Sequence, residues 1–256
     1  MLILIANDDG IDSPGLHALR VIGEKLAGPD GEVWVSAPEQ NHSGAGHSLS
    51  LNEPVRIRKV DERAFAVRGT PTDSVIMGVH HVLKGRRPDL ILSGINRGSN
   101  LAEDVTYSGT IAAAMEGTLL GVRSIALSVV RPLGGLANWE GARRYAPGLL
   151  RSLIESEQWP EGSFLNINFP ECPVDEISGV RITRQGRRPP GAFSIDGRVD
   201  SRNVPYYWVK MAYPKGENAP DHDLRAIAEK AVSVTPLQMD LTHYAWQSHL
   251  HGLIKL

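Results

Sequence analysis

Short apolar runs alternate with segments of helical periodicity, and this alternation limits the fold more than any other feature of the chain. The run "LILIA" at 2–6 precedes "PGLHALRVIGEKLAG" at 14–28, where apolar residues recur at helical spacing. The runs "EVWVSAP" at 32–38, "DLILSG" at 89–94 and "SIALSVV" at 124–130 are apolar on both faces, which is typical of central parallel strands. The pattern predicts an α/β fold with a Rossmann-like, doubly wound and mostly parallel sheet.

Further helices are predicted over 72–85, 109–121 and 138–160. Two strand-like segments, "SLSLNEPVRIRKV" and "AFAVRGTP", lie between the second strand and the next helix. Their spacing leaves no room for crossover helices, so we expect antiparallel or edge strands there.

The regular alternation of predicted strands and helices ends after residue 130. A strand is expected at 164–170, and the polar, Gly- and Pro-rich stretch near 180–211 predicts a projecting β-hairpin arm, which is a candidate contact between subunits. The C-terminal tail offers one short strand and a terminal helix. We expect a single domain over 1–256, with a Rossmann-like core in about 1–130 and the remaining core elements, arm and tail in about 131–256.

Composition excludes several classes of partner. A chain of 256 residues with 41% hydrophobic residues can bury one large core, and its formal charge of -2 provides no basic field for a nucleic-acid polymer. Cys172 is the single cysteine, which fits a reducing compartment, and we expect a cytoplasmic location. The N-terminal apolar run stops at Ala6, too short for a signal peptide or a membrane span, so no membrane partner is expected.

Two adjacent carboxylates, Asp8 and Asp9, follow the first predicted strand. In an open parallel sheet, ligands bind beyond the carboxyl ends of the strands. Gly10 permits a turn that lets both carboxylates converge on one space, and convergent carboxylates favour a hard divalent cation such as Mg²⁺ or Mn²⁺. The alternative is that one carboxylate caps the following helix and the other is solvated.

Two loops after neighbouring strands offer further oxygen ligands. "HSGAGHS" at 42–48 carries the Ser43 hydroxyl. It also carries His42 and His47, the two histidines that we expect to lie near the reacting groups. "SGINRGSN" carries Asn96, whose amide oxygen is an acceptable hard ligand. Each segment could equally form an ordinary turn.

A helix start with free backbone N–H groups is predicted in "YSGTIAAAMEG" at 107–117. Ser108 is a good N-cap, and Gly109 and Thr110 then present N–H groups of the first turn, which form an anion site suited to phosphate. The alternative is a plain N-cap without a ligand.

The segments "NDDG", "APEQNHSGAGHSLSL", "GTPTD", "SGINRGSN" and "YSGTIAAAMEG", in this order and spacing, resemble the SurE (survival protein E) phosphatase family. "LNINFP", "VRITRQG" and "VSVTPLQMDLT" extend the resemblance nearly from end to end.

This resemblance implies a metal-dependent 5′-nucleotidase, a phosphomonoesterase that acts on nucleoside 5′-monophosphates and often on 3′-monophosphates and short polyphosphate. It implies one divalent ion per subunit, Mg²⁺ or Mn²⁺, and pairing of subunits through the arm and tail into a homodimer or homotetramer. The implied metal ligands are Asp8, Asp9, Ser43 and Asn96, of which Asp8 and Asp9 are also the catalytic candidates. The expected phosphate-binding residues are Asn96, Ser108, Gly109 and Thr110.

Two other functional classes remain open. A receiver-type regulatory domain shares the acidic pair, but it needs a phospho-accepting Asp after the third parallel strand and a Lys after the fifth. Here "LILSGIN" offers no such Asp, and Arg131 follows "SIALSVV". A dinucleotide-binding oxidoreductase shares the fold class, but "NDDGIDSPG" places acids where a G-x-G-x-x-G turn presents bare backbone to a pyrophosphate.

Overall fold

The computed structural model describes residues 1–131, 135, 137–191, 193–212 and 219–253. The β-strands in these ranges are β1 (Leu2–Ala6), β2 (Glu32–Pro38), β3 (Arg56–Lys59), β4 (Ala64–Arg68), β5 (Leu90–Arg97), β6 (Ser124–Val129), β7 (Ser163–Phe169), β8 (Val180–Ile182), β9 (Phe193–Val199), β10 (Pro205–Met211) and β11 (Val232–Gln238). The α-helices are α1 (Pro14–Ala27), α2 (Pro71–Met77), α3 (Gly109–Leu119), α4 (Glu140–Ile154), α5 (Asp223–Ala228) and α6 (Tyr244–Leu253). A π-helical turn, Gly78–Val82, continues α2.

Nine strands of the described ranges form one sheet in the order β3-β4-β2-β1-β5-β6-β7-β11-β8. The consecutive neighbours from β4 to β7 in this order pair in parallel, whereas β3 and β11 run antiparallel to their neighbours β4 and β7. Strands β9 and β10 form a separate antiparallel hairpin. The predicted α/β class with a mostly parallel sheet and a hairpin in the C-terminal part is confirmed.

Helices cover both faces of the sheet. Ile3 and Ile5 of β1 pack in a buried cluster with residues of α1 and α4, and Leu4 and Ala6 pack in a second cluster with residues of α2 and α3. Because successive side chains of a strand point to opposite faces, β1 is apolar throughout. The chain that leaves β1 therefore emerges between two helical layers.

The order of the strands reverses at β1. From β1 the chain proceeds to β2 and β4 on one side, and it then returns to β5 on the other side of β1. Loops that leave β1 and β5 diverge at such a reversal, and the crevice between them is the usual ligand site of open α/β sheets. A ligand is therefore expected at the carboxyl ends of β1 and β5.

Strand β5 is longer than predicted. The sequence indicated an end at Gly94, but the strand runs to Arg97, with an irregularity in register between Ser93 and Asn96. Asn96 and Arg97 then pair again with β6. The glycine thus marks a bulge inside the strand rather than its end, and Asn96 lies in the last part of the strand, not beyond it.

The segment between β2 and α2 differs from its prediction in direction. Strand β3 is an antiparallel edge strand, as expected, but β4 pairs in parallel with β2. The loop after β2 and strand β3 together return the chain to the edge of the sheet at which the parallel strands begin. A crossover helix makes this return between other parallel strands of the sheet.

The predicted arm starts later than expected. Residues 180–182 belong to the main sheet as β8, and the hairpin comprises β9 and β10. The terminal strand and helix of the tail are present as β11 and α6, and the short helix α5 was not predicted. Position 192 of the predicted arm and positions 254–256 of the tail lie outside the described residues.

None of the helices within the described ranges is both long enough and apolar enough to cross a membrane.

A buried ion pair joins the root of the arm to the turn before α3. The two terminal nitrogens of Arg188 each lie 2.9 Å from a carboxylate oxygen of Asp104, and less than a tenth of either side chain is exposed. The ring of Phe193 at the start of the arm meets the ring of Tyr107 edge-on at 5.7 Å. These contacts fix the segment that leads into α3.

We expect Arg188→Met to lower the free energy of unfolding by about 3–5 kcal/mol, because it leaves the Asp104 carboxylate buried without its cation. Urea denaturation measures this loss. Arg198→Met is the matched control: its partner Asp196 lies on the exposed arm, and exposed pairs contribute about 0–1 kcal/mol. Equal losses in the two variants would contradict a structural role for the buried pair.

Candidate active site

Asp8 lies against the first turn of α3. The Thr110 hydroxyl donates a hydrogen bond of 2.5 Å to Asp8 Oδ1, and only 4% of Asp8 is exposed. A Cβ atom added to Gly109 would lie 2.6 Å from Asp8 Cβ, which is closer than real Cβ atoms approach. Glycine at position 109 therefore permits the carboxylate to reach the N-terminus of the helix.

Burial raises the pKa of Asp8 from 3.8 to about 6, against the opposing hydrogen bond from Thr110, and the neighbouring charge of Asp9 raises it further. A carboxylate in this position is stabilised by the positive end of the helix dipole, yet it remains poorly solvated beside a like charge. The electrostatics therefore favour a cation between the two aspartates.

Asp9 belongs to a tight turn that leaves β1. Gly10 adopts a φ of +100°, and the Asn7 side-chain amide donates to Gly10 O at 2.9 Å and to Ser13 Oγ at 2.8 Å. The backbone N–H of Arg97 donates to Asp9 Oδ2 at 3.1 Å. Asp9 is thereby tied to the end of β5, one residue from Asn96, while Asp8 is tied to α3.

Ser43 lies in a loop that is hydrogen-bonded to the acidic pair. The backbone N–H of His42 donates to Asp8 O at 2.8 Å, and both the N–H and the hydroxyl of Ser43 donate to Asn41 Oδ1 at 2.7 Å. The loop after β2 therefore places Ser43 one residue from a direct contact with Asp8. Sequence reasoning did not identify Asn41 as the residue that holds Ser43.

Asn96 is oriented by its own loop. Its Nδ2 donates to Gly98 O at 2.8 Å, which leaves Oδ1 without a hydrogen-bond donor among the residues that the structure describes. The amide is half-buried. An amide whose nitrogen is engaged in this way keeps its oxygen available as an acceptor or ligand.

The four predicted ligands fit a hard divalent cation by their chemistry. They supply two carboxylates, one hydroxyl and one amide oxygen, and oxygen donors are what Mg²⁺ and Mn²⁺ prefer. No group of three or more His, Cys, Asp and Glu side chains in the described ranges is arranged to hold a metal. A cation here would therefore depend on the neutral oxygens of Ser43 and Asn96 as well as on the two aspartates.

The start of α3 has the predicted cap. Ser108 Oγ accepts the N–H of Ile111 at 3.1 Å, and Ser108 is buried. The Gly109 N–H has no hydrogen-bond partner within the described part of the chain, whereas the Thr110 hydroxyl is used on Asp8. The role of Thr110 as a support for Asp8 was not predicted, because the contact joins residues 102 positions apart.

The loop that carries Ser43 is also attached to α3. His47 Nε2 lies 2.9 Å from Glu116 Oε2, and the N–H of Gly46 donates to Tyr107 O at 3.1 Å. His47 therefore anchors the loop, and His42 contributes its backbone N–H to Asp8. Neither role was assigned from the sequence.

Asn100 organises the chain beyond β5 from a buried position. Its N–H donates to Asn168 Oδ1 at 2.8 Å, its Nδ2 donates to Ser128 Oγ at 2.7 Å, and its carbonyl accepts from Asn166 at 2.8 Å. This polar network holds the segment between β5 and α3 to β6 and β7, so Asn100 organises the loop that follows β5.

A cavity of about 530 Å³ opens beside Asp9. It is lined by Asp9, Gly10, Asp12, Ser13, Pro14, Gly15, Glu39, Asn41, Arg97, Ala137 and Trp139. Trp139 and Arg97 were not predicted as site residues. Arg97 could have been suspected because it follows Asn96, but Trp139 precedes α4 and no local pattern connects it to β1.

Comparisons with known proteins find relatives that cover most of the chain. The family model described as "Survival protein SurE" matches residues 3–191. A protein of Methylorubrum populi named 5′-nucleotidase SurE is 52% identical to this chain, over 94% of both chains. A protein of Brucella anthropi with the same name is also 52% identical, over 99% of this chain and 97% of that protein. A crystal structure of the SurE protein from Aquifex aeolicus aligns with a TM-score of 0.82 at 39% identity, over 99% of both chains.

We expect Thr110→Val to weaken the binding of Mn²⁺ by about 10- to 100-fold, because it removes the hydroxyl that orients Asp8. Isothermal titration of the purified protein with MnCl₂ measures the affinity. Thr118→Val is the matched control, since the Thr118 hydroxyl bonds only within α3, to Ala114 O. Unchanged Mn²⁺ affinity in Thr110→Val would contradict the supporting role of Thr110.

Proposed function

The chain belongs to the SurE family, and from this premise we propose that it is a 5′-nucleotidase that hydrolyses nucleoside 5′-monophosphates to nucleoside and phosphate. The observation that carries the proposal is the contact of Asp8 with the N-terminus of α3 at the strand-order reversal. It brings a carboxylate next to an N–H group suited to a phosphate oxygen. A phosphomonoester held there has its phosphorus beside both aspartates.

The proposal includes one divalent cation, Mg²⁺ or Mn²⁺, held by Asp8, Asp9, Ser43 and Asn96. When bound, such a cation polarises a phosphoryl group and makes a water molecule a better nucleophile. The support for it is the donor set of hard oxygens, the repulsion between the buried Asp8 and the half-buried Asp9 carboxylates, and the amide oxygen of Asn96, which accepts no hydrogen bond from the described residues.

Other residues of the site position Asp8, bind the phosphate and accept a proton. Thr110 holds Asp8 in place through its hydroxyl, and the free N–H of Gly109 binds a phosphate oxygen at the positive end of α3. Ser108 keeps that helix start in shape through its cap, and Asn96 contributes to phosphate binding. The backbone N–H of Arg97 donates a hydrogen bond to Asp9 Oδ2, which leaves Asp9 Oδ1 to accept a proton from water.

Direct attack by water is the proposed route, because no Ser, Cys or Thr of the site is hydrogen-bonded to a histidine base among the described residues. Asp8 and Asp9 are the catalytic carboxylates in this proposal. The receiver alternative is not favoured, since β5 ends in Asn96 and Arg97 where a phospho-accepting Asp would be needed.

Finer features of the proposal follow the family resemblance. They are activity on 3′-monophosphates and short polyphosphate, a cytoplasmic location, and a single-domain subunit that pairs through the arm and tail into a homodimer or homotetramer. The support for pairing is the apolar surface of the arm, where Ile195, Tyr207 and Val209 are each about two-thirds exposed.

We expect Asp8→Asn and Asp9→Asn each to lower kcat/KM for adenosine 5′-monophosphate by more than about 100-fold, beyond the loss that outer supports of a metal site cause. Phosphate release in the presence of MnCl₂ measures the effect. Asp30→Asn, on the exposed turn before β2, is the control and keeps wild-type activity. Wild-type rates in either of the first two variants would disprove the proposed site.

Treatment of the wild-type protein with EDTA should abolish phosphate release, and restoration of Mg²⁺ or Mn²⁺ should recover it. The same assay with 5′- and 3′-monophosphates and tripolyphosphate tests the finer substrate range. Hydrolysis that persists at full rate in EDTA would rule out dependence on a cation.

A further inference from the structure

The cavity beside Asp9 continues the site away from α3. Asp8 contacts α3 on one face of the sheet, whereas Asp9 and Gly10 line the cavity on the side of α1. A volume of about 530 Å³ falls within the range of small-molecule pockets, about 300–1,000 Å³. A phosphomonoester whose phosphate lies near Asp8 and Gly109 would therefore extend its remaining part into this cavity.

The charges around the cavity disfavour an anionic occupant. Among the described residues that line the cavity, Asp9, Asp12 and Glu39 contribute three carboxylates and Arg97 contributes one guanidinium, while Glu39 is also paired with Arg58 Nε at 3.3 Å. A second phosphate group inside the cavity would be repelled by the carboxylates, so the further phosphates of a short polyphosphate would lie outside it. An uncharged group with hydroxyl or amino donors is favoured, because carboxylates accept hydrogen bonds from such donors.

The indole of Trp139 gives the cavity an aromatic wall that is fixed in place. A Cβ atom added to Gly15 would lie 3.0 Å from Trp139 Cη2, so the far end of the ring packs on the first turn of α1. The rest of the side chain packs against the buried cluster between α1 and α4 and is half-buried. The exposed part of a ring held in this way is a preformed surface for stacking.

We propose that this cavity binds the nucleoside part of the substrate and that Trp139 determines the preference for nucleotides by stacking on the base. The inference rests on the proposed nucleotidase activity and adds a specificity residue to it. The uncharged nucleoside occupies the acidic cavity, the base lies on Trp139, and Asp12 and Glu39 accept hydrogen bonds from its hydroxyl or amino groups. The phosphate stays beside Asp8 and the N–H of Gly109.

The test compares a substrate with a base and one without. Steady-state phosphate release is measured with adenosine 5′-monophosphate and with ribose 5-phosphate, and the ratio of the two kcat/KM values expresses the nucleotide preference. We expect Trp139→Leu, which keeps an apolar side chain but removes the ring, to lower this ratio about tenfold or more. Trp139→Phe, which keeps a ring, should retain most of the ratio.

Trp159→Phe is the matched control. Trp159 packs under the guanidinium of Arg123 at 5.5 Å and is not part of the cavity lining. This variant should keep the wild-type ratio. If Trp139→Leu has the same ratio of kcat/KM values as the wild type, the inference is overturned and the nucleotidase proposal stays intact. If the wild type releases no phosphate from any nucleotide, the nucleotidase proposal itself is overturned.

A binding measurement provides a second readout that needs no turnover and covers the case in which Trp139→Leu does not fold. Adenosine stacked on Trp139 should quench the intrinsic fluorescence of the wild-type protein, and Trp139→Phe should lose this component while keeping the signal of the other four tryptophans. Equal quenching in the wild type and Trp139→Phe would place adenosine elsewhere and overturn the inference.

Discussion

The contact between the Asp8 carboxylate and the first turn of α3 is the interaction on which the candidate site depends. It requires β1 to end at the level of the helix N-terminus, Gly109 to lack a side chain and Thr110 to supply a hydroxyl. The burial that makes this position costly for a lone carboxylate also gives it a strong preference for a nearby cation. The charge of Asp8, the lack of a side chain at Gly109 and the positive end of the α3 dipole thus meet at the same position.

The alternation of side chains along β1 explains how two adjacent aspartates reach different surroundings. Asp8 continues the face of Leu4 and Ala6 toward α3, and Asp9 continues the face of Ile3 and Ile5 toward the cavity beside α1. The turn at Gly10 keeps them close enough for the charge of Asp9 to affect Asp8. One strand end can therefore serve both a phosphate position and a cavity for the rest of a ligand.

Local patterns predicted the elements of the central fold, and the positions after β1 and β2 pointed to Asp8, Asp9 and Ser43. Features that depend on distant pairing were missed. Gly94 is compatible with either a strand end or a bulge, and only the pairing of Asn96 with β6 distinguishes them. The parallel direction of β4 and the approach of Trp139 to Gly15 likewise follow from packing across long separations, which no local signal records.

The ion pair of Arg188 with Asp104 means that the arm is not a detachable appendage. Its root shares a buried charge with the turn that delivers Ser108, and Phe193 touches Tyr107 in the same turn. A force applied to the hairpin is therefore transmitted to the helix start on which Asp8 rests. Insertions or grafts in the arm therefore leave that helix start undisturbed only when they lie beyond this anchor, toward the hairpin tip.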